Sequence, residues 1–323
     1  MKNFGNISII VPTNRSIELV HGTIRNIKNI ATTIDAELIV SDNRGDAKKS
    51  NVLSNELGSS YFKSPEPGAM GNFFYALRQS SKRFTWNLHD DDWVFDLGGA
   101  FPKRLPSDCV GICPIVLLTS PAHGIYGVRN FDLCQSEPID RIKAYALQSA
   151  GANSLLFAIW ETDLLQNLYQ ALETHPCHAG YQDWTFVKAC LAEGKVISSD
   201  RFGYKYNNNN WYGPPASNLE ELEDLMRRAD LPVELAQNLG LINIIDLICL
   251  FGRNRGYRTT LENRLTILDA ILVDQISGYQ REFLMDYLGQ SLEVIRRLSY
   301  QAGERYQSYV EAVLGSTKIG SQL

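Results

Sequence analysis

Short apolar runs alternate with helical patterns over residues 7–88, and this alternation restricts the fold more than any other feature of the sequence. The run Ile7 to Val11 is rich in β-branched residues, as is typical of a strand buried on both faces of a parallel sheet. Apolar residues then recur every three or four positions, which is the spacing of an amphipathic helix. Further strands are predicted at 37–40, 61–63 and 84–88, with helices between them. The sequence therefore predicts an α/β fold with a mostly parallel sheet covered by helices.

The pattern changes at Pro214 and Pro215. Before this point we predict strands at 109–118, 125–128, 155–160 and 196–199 and a helix at 183–191. After it, apolar residues follow a helical spacing, as at Leu261, Leu265, Leu268 and Leu272 and again at Leu284, Leu288, Leu292 and Ile295. We therefore predict two domains, an α/β domain over residues 1–213 and a C-terminal α-helical domain over residues 214–323.

Charge and apolar content exclude several classes of protein. A formal net charge of -5 argues against a nucleic-acid binder, because neutralising phosphates needs a clustered excess of lysine and arginine. Six cysteines without paired short spacings suit a reducing compartment. The first apolar run stops at Pro12, too early for a signal peptide, and the run 241–251 contains Asn243 and Asp246, which argues against a membrane span. The expected location is cytoplasmic.

Two of the predicted strands end in carboxylates. Asp42 follows the strand at 37–40, and Asp90, Asp91 and Asp92 follow the strand at 84–88. Ligands of open α/β sheets bind at the carboxyl ends of strands, so these acids are expected to face one crevice. Neighbouring aspartates repel one another, and a divalent cation such as Mg²⁺ or Mn²⁺ would offset that cost. If the strand continued, Asp90 and Asp92 would share one face. These residues alone leave a solvated acidic turn open as the alternative.

Four segments resemble, in order and spacing, the amino-terminal half of family 2 glycosyltransferases with the GT-A fold. They are Ile7-Ser-Ile-Ile-Val-Pro-Thr-Asn-Arg15, Leu38-Ile-Val-Ser-Asp-Asn43, Gly68-Ala-Met-Gly-Asn72 and Trp86-Asn-Leu-His-Asp-Asp-Asp-Trp93. The resemblance covers about residues 5–200. It implies a GT-A fold, which is a Rossmann-like domain that binds nucleotide-diphospho-sugars.

The resemblance also implies roles for the matching residues. Asp42 corresponds to the acid that selects the nucleotide base. Asp90 and Asp92 correspond to the DxD motif, with Asp92 as the principal metal ligand, so Mn²⁺ or Mg²⁺ is the implied cofactor. The aromatic residue of the family's first turn has no counterpart here. The nucleotide-sugar donor is expected to contact Pro12, Thr13, Asn14, Arg15, Asp42, Asn43, Asn72, Asp90 and Asp91.

A second acidic motif lies further along the chain. Asp183, in Gly180-Tyr-Gln-Asp-Trp184, resembles the family's downstream acid, which accepts the proton of the acceptor hydroxyl. Gln182 stands where many relatives have glutamate, so this role rests on Asp183 alone. An aspartate with an ordinary pKa near ~4 is ionised at neutral pH and can act as a base within hydrogen-bond reach of the attacking oxygen. A helix cap is the structural alternative for Asp183.

Together these features predict a metal-dependent, inverting glycosyltransferase of the hexosyltransferase type. It would move a sugar from a nucleotide sugar, by default a UDP-sugar, to a hydroxyl of a glycan or glycolipid in cell-surface polysaccharide biosynthesis. One alternative is a non-catalytic, transferase-like scaffold in a polysaccharide assembly complex, which Gln182 and the missing aromatic residue favour. Another is a sugar nucleotidyltransferase, although Asn14-Arg15-Ser16 is not the glycine-rich phosphate loop that such enzymes usually carry.

Three further clusters allow weaker hypotheses. A group of His175, Cys177 and His178 is more typical of a loop than of a zinc site, because no matching distant pair accompanies it. The apolar face of the helical tail predicts packing against the α/β domain or against a second subunit, as in a homo-oligomer. Arginines after the run 241–251 suggest a basic patch for peripheral contact with a membrane or a lipid-diphosphate acceptor, with a solvated basic turn as the alternative: Arg253, Arg255, Arg258 and Arg264.

Overall fold

A computed structural model describes most of the first 228 residues and one further helix. The described residues are 7–99, 105–120, 122–149, 152–172, 182–207, 215–228 and 258–275, with the single positions 233, 236, 243, 246, 247, 250 and 251. The predicted zinc-like group at 175–178, the arginines 253 and 255 and the leucine repeat at 284–295 lie outside the described residues.

Nine strands form one mixed sheet in this part of the chain. They are β1 (Ile7–Thr13), β2 (Glu37–Asp42), β3 (Tyr61–Lys63), β4 (Phe84–Asn87), β5 (Trp93–Asp96), β6 (Cys109–Ser120), β7 (Gly124–Arg129), β8 (Ile159–Glu161) and β9 (Lys195–Asn207). The described helices are α1 (Ile17–Thr33), α2 (Ala47–Leu57), α3 (Gly68–Gln79), α4 (Pro138–Ser149), α5 (Thr162–Leu172), α6 (Asp183–Glu193), α7 (Pro215–Arg228) and α8 (Leu261–Gln275). Short 3-10 turns lie at Gly58–Ser60 and Ser154–Phe157.

The sheet has the strand order β3-β2-β1-β4-β8-β6-β9-β5, with β7 paired to β6. Strands β1 to β4 run parallel, as the βα alternation predicts. The sheet becomes mixed at β8, which is antiparallel to both β4 and β6, while β9 is parallel to β6. The carboxyl ends of β1, β2 and β4 therefore meet at one edge, where the acidic residues follow them. The predicted α/β fold is confirmed by this arrangement, and its parallel pairing holds for β1 to β4, whereas the sheet as a whole is mixed.

Side chains alternate along each strand, so both faces of the sheet carry apolar residues, and helices cover both faces. On β1, Ile9 and Val11 pack in one cluster with the isoleucines of α1, whereas Ile10 points to the opposite cluster with α3, α5 and α6. Helix α1 buries the face that its spacing predicts, including Val20, Ile24 and Ile27. Close packing also explains why position 111 is a glycine, because a Cβ atom there would lie 2.7 Å from the Trp160 ring.

The C-terminal helices share the core of the α/β part. Met226, Leu268 and Ile271 belong to the same buried cluster as α4, α5 and α6. Next to them, Glu193 accepts main-chain N–H bonds from Arg258 and Thr259 at 2.6 and 3.1 Å. Helix α8 is therefore fixed against the end of α6.

Several sequence predictions of element bounds were wrong. The strand predicted at 196–199 extends to Asn207, because β9 pairs with β6 on one side and with β5 on the other. Strand β5 and helix α4 had not been predicted. No helix within the described residues is both long enough and apolar enough to span a membrane.

Candidate functional site

The aspartates 90–92 lie in a turn between β4 and β5. Strand β4 ends at Asn87, so Asp90 and Asp92 are not alternate residues of one strand, and the prediction of a shared strand face does not apply. Instead, His89, Asp91 and Asp92 each offer a ligand atom, and these atoms all lie within 4.8 Å of one another. We call these three residues the His89 cluster. The resemblance predicts Asp90 and Asp92 as the metal pair, whereas this geometry groups His89 and Asp91 with Asp92.

Asp90 is held by strand β1 and by the turn that follows it. The Thr13 hydroxyl donates to Asp90 Oδ2 at 2.5 Å, and Arg15 Nε lies 3.6 Å from Asp90 Oδ1. Asp90 is only 6% exposed. Burial, which disfavours the charged form, raises the pKa of Asp90 against the opposing effects of Thr13 and Arg15. The predicted donor-binding turn is thus in direct contact with the predicted DxD motif.

Arg15 joins Asp90 to the His89 cluster. Its Nη1 lies 2.7 Å from Asp91 Oδ2. Burial alone would lower the pKa of the guanidinium. The interactions with Asp91, and to a smaller extent those with Asp90 and Asp92, outweigh the effect of burial and raise the pKa. The Arg15 side chain is 43% exposed, so a cation within reach of solvent lies over two of the three aspartates.

Asp92 is fixed by strand β9. The Tyr204 hydroxyl donates to Asp92 Oδ2, and the main-chain N–H of Asn207 donates to Oδ1 at 2.8 Å. Burial raises the pKa of Asp92 to about 6, and the nearby His89 opposes this shift. His89 itself lies 3.8 Å from Asp92 through Nδ1 and packs edge-on against the Phe157 ring. Asp92 is therefore an oriented carboxylate at the centre of the cluster.

Asp42 lies at the end of β2 in a buried network. Lys49 Nζ donates to Asp42 Oδ1 at 2.9 Å and to Thr13 Oγ1 at 2.9 Å. The Arg44 main-chain N–H also donates to Oδ1, and the Tyr61 hydroxyl donates to Oδ2. Asp42 and Lys49 are 1% and 0% exposed. Burial lowers the pKa of Lys49 in spite of its bond to Asp42.

The remaining predicted donor contacts surround this network. Asn72 donates to the main-chain oxygens of Thr13 and Ser41, and accepts from the Ser41 hydroxyl at 2.6 Å. Asn43 donates to the main-chain oxygens of Glu66 and Gly68. These amides tie the ends of β1 and β2 to the start of α3. Pro12 lies in β1, and Asn14 is exposed in the turn beyond it.

Asp183 begins helix α6 and is oriented by a short hydrogen-bond chain. Asn153 Nδ2 donates to Asp183 Oδ2 at 2.9 Å, and the Tyr145 hydroxyl donates to Asn153 Oδ1 at 2.5 Å. Burial raises the pKa of Asp183, and the Asn153 bond and the more distant charge of His89 act in the opposite direction.

The pKa of the buried Tyr206 hydroxyl depends on both acidic sites. Burial raises its pKa well above the ordinary value, and Asp183 and Asp92 raise it further. The ring packs against Phe157, which also touches Tyr204 and His89. The His89 cluster therefore contacts a group of packed aromatic rings formed by Phe157, Tyr204 and Tyr206.

Several functional candidates were missed by the sequence analysis: His89, Lys49, Tyr145, Asn153, Tyr204, Tyr206 and Asn207. The alternation of Phe202, Tyr204 and Tyr206 is a strand signal that could have extended β9 toward Asp92. Lys49, Tyr145 and Asn153 carry no comparable pattern, because their partners lie elsewhere in the chain.

No family model and no curated protein matches the chain. Among solved structures, S. aureus TarS 1-349 in complex with UDP-GlcNAc is 14% identical, with a TM-score of 0.42, over 96% of this chain and 88% of that one. Mannosyl-3-phosphoglycerate synthase from Rubrobacter xylanophilus is 13% identical, with a TM-score of 0.41, over 69% and 73%. Glucosyl-3-phosphoglycerate synthase from Mycobacterium tuberculosis, in complex with phosphoglyceric acid, is 14% identical, with a TM-score of 0.36, over 69% and 77%.

The identities and TM-scores are too low for substrates or chemistry to be carried over to this chain.

Proposed function

We propose that this protein is a glycosyltransferase that uses a nucleotide-sugar donor and a divalent metal ion. One observation carries the proposal: the His89 cluster lies at the carboxyl end of β4, in contact through Asp90 and Arg15 with the turn after β1. Ligands of open α/β sheets bind at this edge. A diphosphate placed there would meet both a guanidinium and a set of metal ligands.

The donor set of the His89 cluster suits Mn²⁺ or Mg²⁺. Two carboxylates and one imidazole within 4.8 Å supply oxygen and nitrogen ligands, and the buried Asp92 is already oriented by Tyr204 and Asn207. A bound ion would stabilise the negative charge that develops on the leaving diphosphate. We propose Asp92 as the principal ligand, with Asp91 and His89 beside it. Asp90 is proposed to orient the donor side of the site through Thr13 and Arg15.

Arg15 is the proposed contact for the diphosphate. Its guanidinium is partly exposed and presents several N–H donors in a planar fork, a geometry that matches phosphate oxygens. We propose that the turn from Thr13 to Arg15 and the ends of β2 and α3 form the wall of the nucleotide site. A UDP-sugar is the donor that we propose.

Asp183 is the proposed general base. Asn153 and the main-chain N–H groups at the start of α6 orient the Asp183 carboxylate, which we propose accepts the proton of an acceptor hydroxyl as the hydroxyl oxygen attacks the sugar. A direct displacement of this kind inverts the configuration at the anomeric carbon. The acceptor is proposed to be a hydroxyl of a glycan or glycolipid in cell-surface polysaccharide synthesis.

Release of nucleoside diphosphate tests this proposal. The wild-type protein is incubated with a panel of nucleotide sugars, with Mn²⁺, with Mg²⁺ or with a chelator. We expect metal-dependent release of UDP from a UDP-sugar. We expect the Asp92→Asn variant, which loses the proposed principal ligand, to lose more metal affinity than the about 10- to 100-fold typical of an outer partner of a ligand, with a matching loss of release at limiting metal.

The control variant is Asp140→Asn, which changes an exposed acid in the first turn of α4 and should behave as wild type. Failure of the wild type to release nucleoside diphosphate from any nucleotide sugar would contradict the proposal and favour the scaffold alternative. Release of pyrophosphate from a nucleoside triphosphate and a sugar phosphate would instead identify a nucleotidyltransferase.

A further inference from the structure

We propose that Lys49 is a positioning residue of the donor site, and that Asp42 acts on the donor through Lys49 rather than by contact with the nucleotide base. This inference rests on the proposed function. It is carried by the network of Asp42, Lys49, Thr13 and Asp90, which runs from the end of β2 to the acidic turn after β4.

The burial of Lys49 requires a specific explanation. The side chain is fully buried, and lysine is rarely so unless it is paired. It also lies in the first turn of α2, where the helix dipole disfavours a cation. Asp46 caps this helix by accepting from the main-chain N–H groups of Lys48 and Lys49 at 2.9 and 3.3 Å, so the start of the helix is fixed. The fold therefore holds the Lys49 ammonium at a fixed position although its burial is unfavourable.

The hydrogen-bond chemistry of Lys49 determines the direction of the Thr13 hydroxyl. A lysine ammonium has only donors, so at 2.9 Å Thr13 Oγ1 must accept from Lys49. The one hydroxyl proton of Thr13 is then free to be donated to Asp90 Oδ2. Lys49 thus makes Thr13 a donor toward Asp90 and fixes the carboxylate that contacts Arg15.

Asp42 has little capacity left for a nucleotide base. Oδ1 accepts from Lys49 and Arg44, Oδ2 accepts from Tyr61, and the residue is 1% exposed. Its charge offsets the buried ammonium of Lys49. The role open to Asp42 is therefore to keep Lys49 charged and in place.

Nucleotide binding in the presence of Mn²⁺ tests the inference. Calorimetry gives the affinity for UDP and the preference for UDP over CDP and GDP in wild type and variants. We expect Thr13→Val, which removes only the hydroxyl that donates to Asp90, to weaken Mn²⁺-dependent UDP binding about 10- to 100-fold, the effect typical of losing a hydrogen bond to a charged group. The order of preference among the bases should stay that of wild type.

Lys49→Met leaves Asp42 buried without its partner and is expected to destabilise the fold. The double variant Asp42→Asn with Lys49→Met removes both charges and is the informative one. We expect it to fold, to keep the base preference and to lose the same affinity as Thr13→Val. Lys48→Met is the matched control, since Lys48 is the neighbouring lysine but is exposed and paired with Glu18, and it should bind UDP as wild type does.

The outcomes separate the hypotheses. If the double variant folds and binds UDP with wild-type affinity, the pair is only structural and the inference is overturned. If base preference is lost while affinity for the diphosphate is kept, Asp42 reads the base directly and the inference is also overturned. If the wild-type protein binds no nucleotide, the proposed function fails together with this inference. If the wild-type protein binds UDP and the double variant binds it equally well, only the inference is refuted.

Discussion

At the residue scale, Asp183 illustrates how burial and hydrogen bonding set the chemistry of one carboxylate. Asn153 holds it, and the substitution Asp183→Asn keeps an oxygen that can still accept from Asn153. If Asp183 is the base, this variant should lose about 100- to 10,000-fold in kcat while the KM for the donor changes little. Asp163→Asn, an exposed acid in the first turn of α5, is the matched control. Equal loss of donor binding and transfer in Asp183→Asn would instead indicate a structural cap.

The raised pKa of Asp183 determines how this prediction depends on pH. The base must be ionised, so transfer by wild type should fall on the acid side at a higher pH than an ordinary aspartate would give. A pKa that is higher in the folded protein than in the unfolded one means that folding favours the protonated carboxyl. The stability that the protonated carboxyl contributes is present at low pH and is lost as pH rises through the folded-state pKa. Asp183→Asn should therefore unfold at equal or higher urea concentration than wild type at pH 8, with a smaller difference at pH 5. A variant that is less stable than wild type at both pH values would refute this.

At the scale of elements, strand β9 connects the end of the described α/β part to the acidic turn. It carries Tyr204 and Asn207 to Asp92, across 112 and 115 residues of chain. The sequence-based bound at Ser199 would have left Asp92 without these partners. Orientation of the proposed metal ligand therefore depends on the pairing of β9 with β5 and β6.

Removal of one hydroxyl tests this role of β9. Tyr204→Phe keeps the buried ring but removes the donor to Asp92, so Mn²⁺ affinity should fall about 10- to 100-fold while the melting temperature changes little. The measurement is a titration of Mn²⁺ by electron paramagnetic resonance. Tyr75→Phe, on α3, is the control. If both variants bind Mn²⁺ as wild type does, the bond from Tyr204 does not tune the site.

At the scale of the whole molecule, the C-terminal helices and the α/β sheet share one core. Leu268 of α8 is fully buried in the cluster that contains α4, α5 and α6. Leu268→Ala should therefore destabilise the entire protein by about 2–5 kcal/mol, because it leaves a cavity in that shared core. Leu19→Ala, at a leucine that is 70% exposed, should change stability by no more than about 0.5 kcal/mol.

Urea unfolding followed by two probes distinguishes a shared core from two independent units. Tryptophan fluorescence reports on the α/β part, since Trp86, Trp93 and Trp160 lie in the sheet and Trp184 lies in α6, and far-ultraviolet circular dichroism reports mainly on the helices. We expect both transitions of Leu268→Ala to shift together. A shift in circular dichroism alone would show that the predicted domains at 1–213 and 214–323 unfold separately.

Signals in neighbouring residues predict the local parts of the fold. The βα alternation up to residue 88, the acids after β2 and β4 and the start of α6 at Asp183 all follow from periodicity and from residue types at element ends. Such signals act over a few residues, so they are readable without knowledge of which strands are neighbours. The extended part of β9 was missed because its register depends on two partner strands that are distant in sequence.

Which side chains come into contact depends on the three-dimensional arrangement of the strands. Thr13 and Asp90 are 77 residues apart and Lys49 and Thr13 are 36 apart, and the strand order brings them into contact. The grouping of His89 with Asp91 and Asp92 depends on where β4 ends and on the shape of the turn that follows. Hydrogen bonds between distant residues follow from packing of the whole sheet, which no local pattern contains, and this is why the acids were predictable while their partners were not.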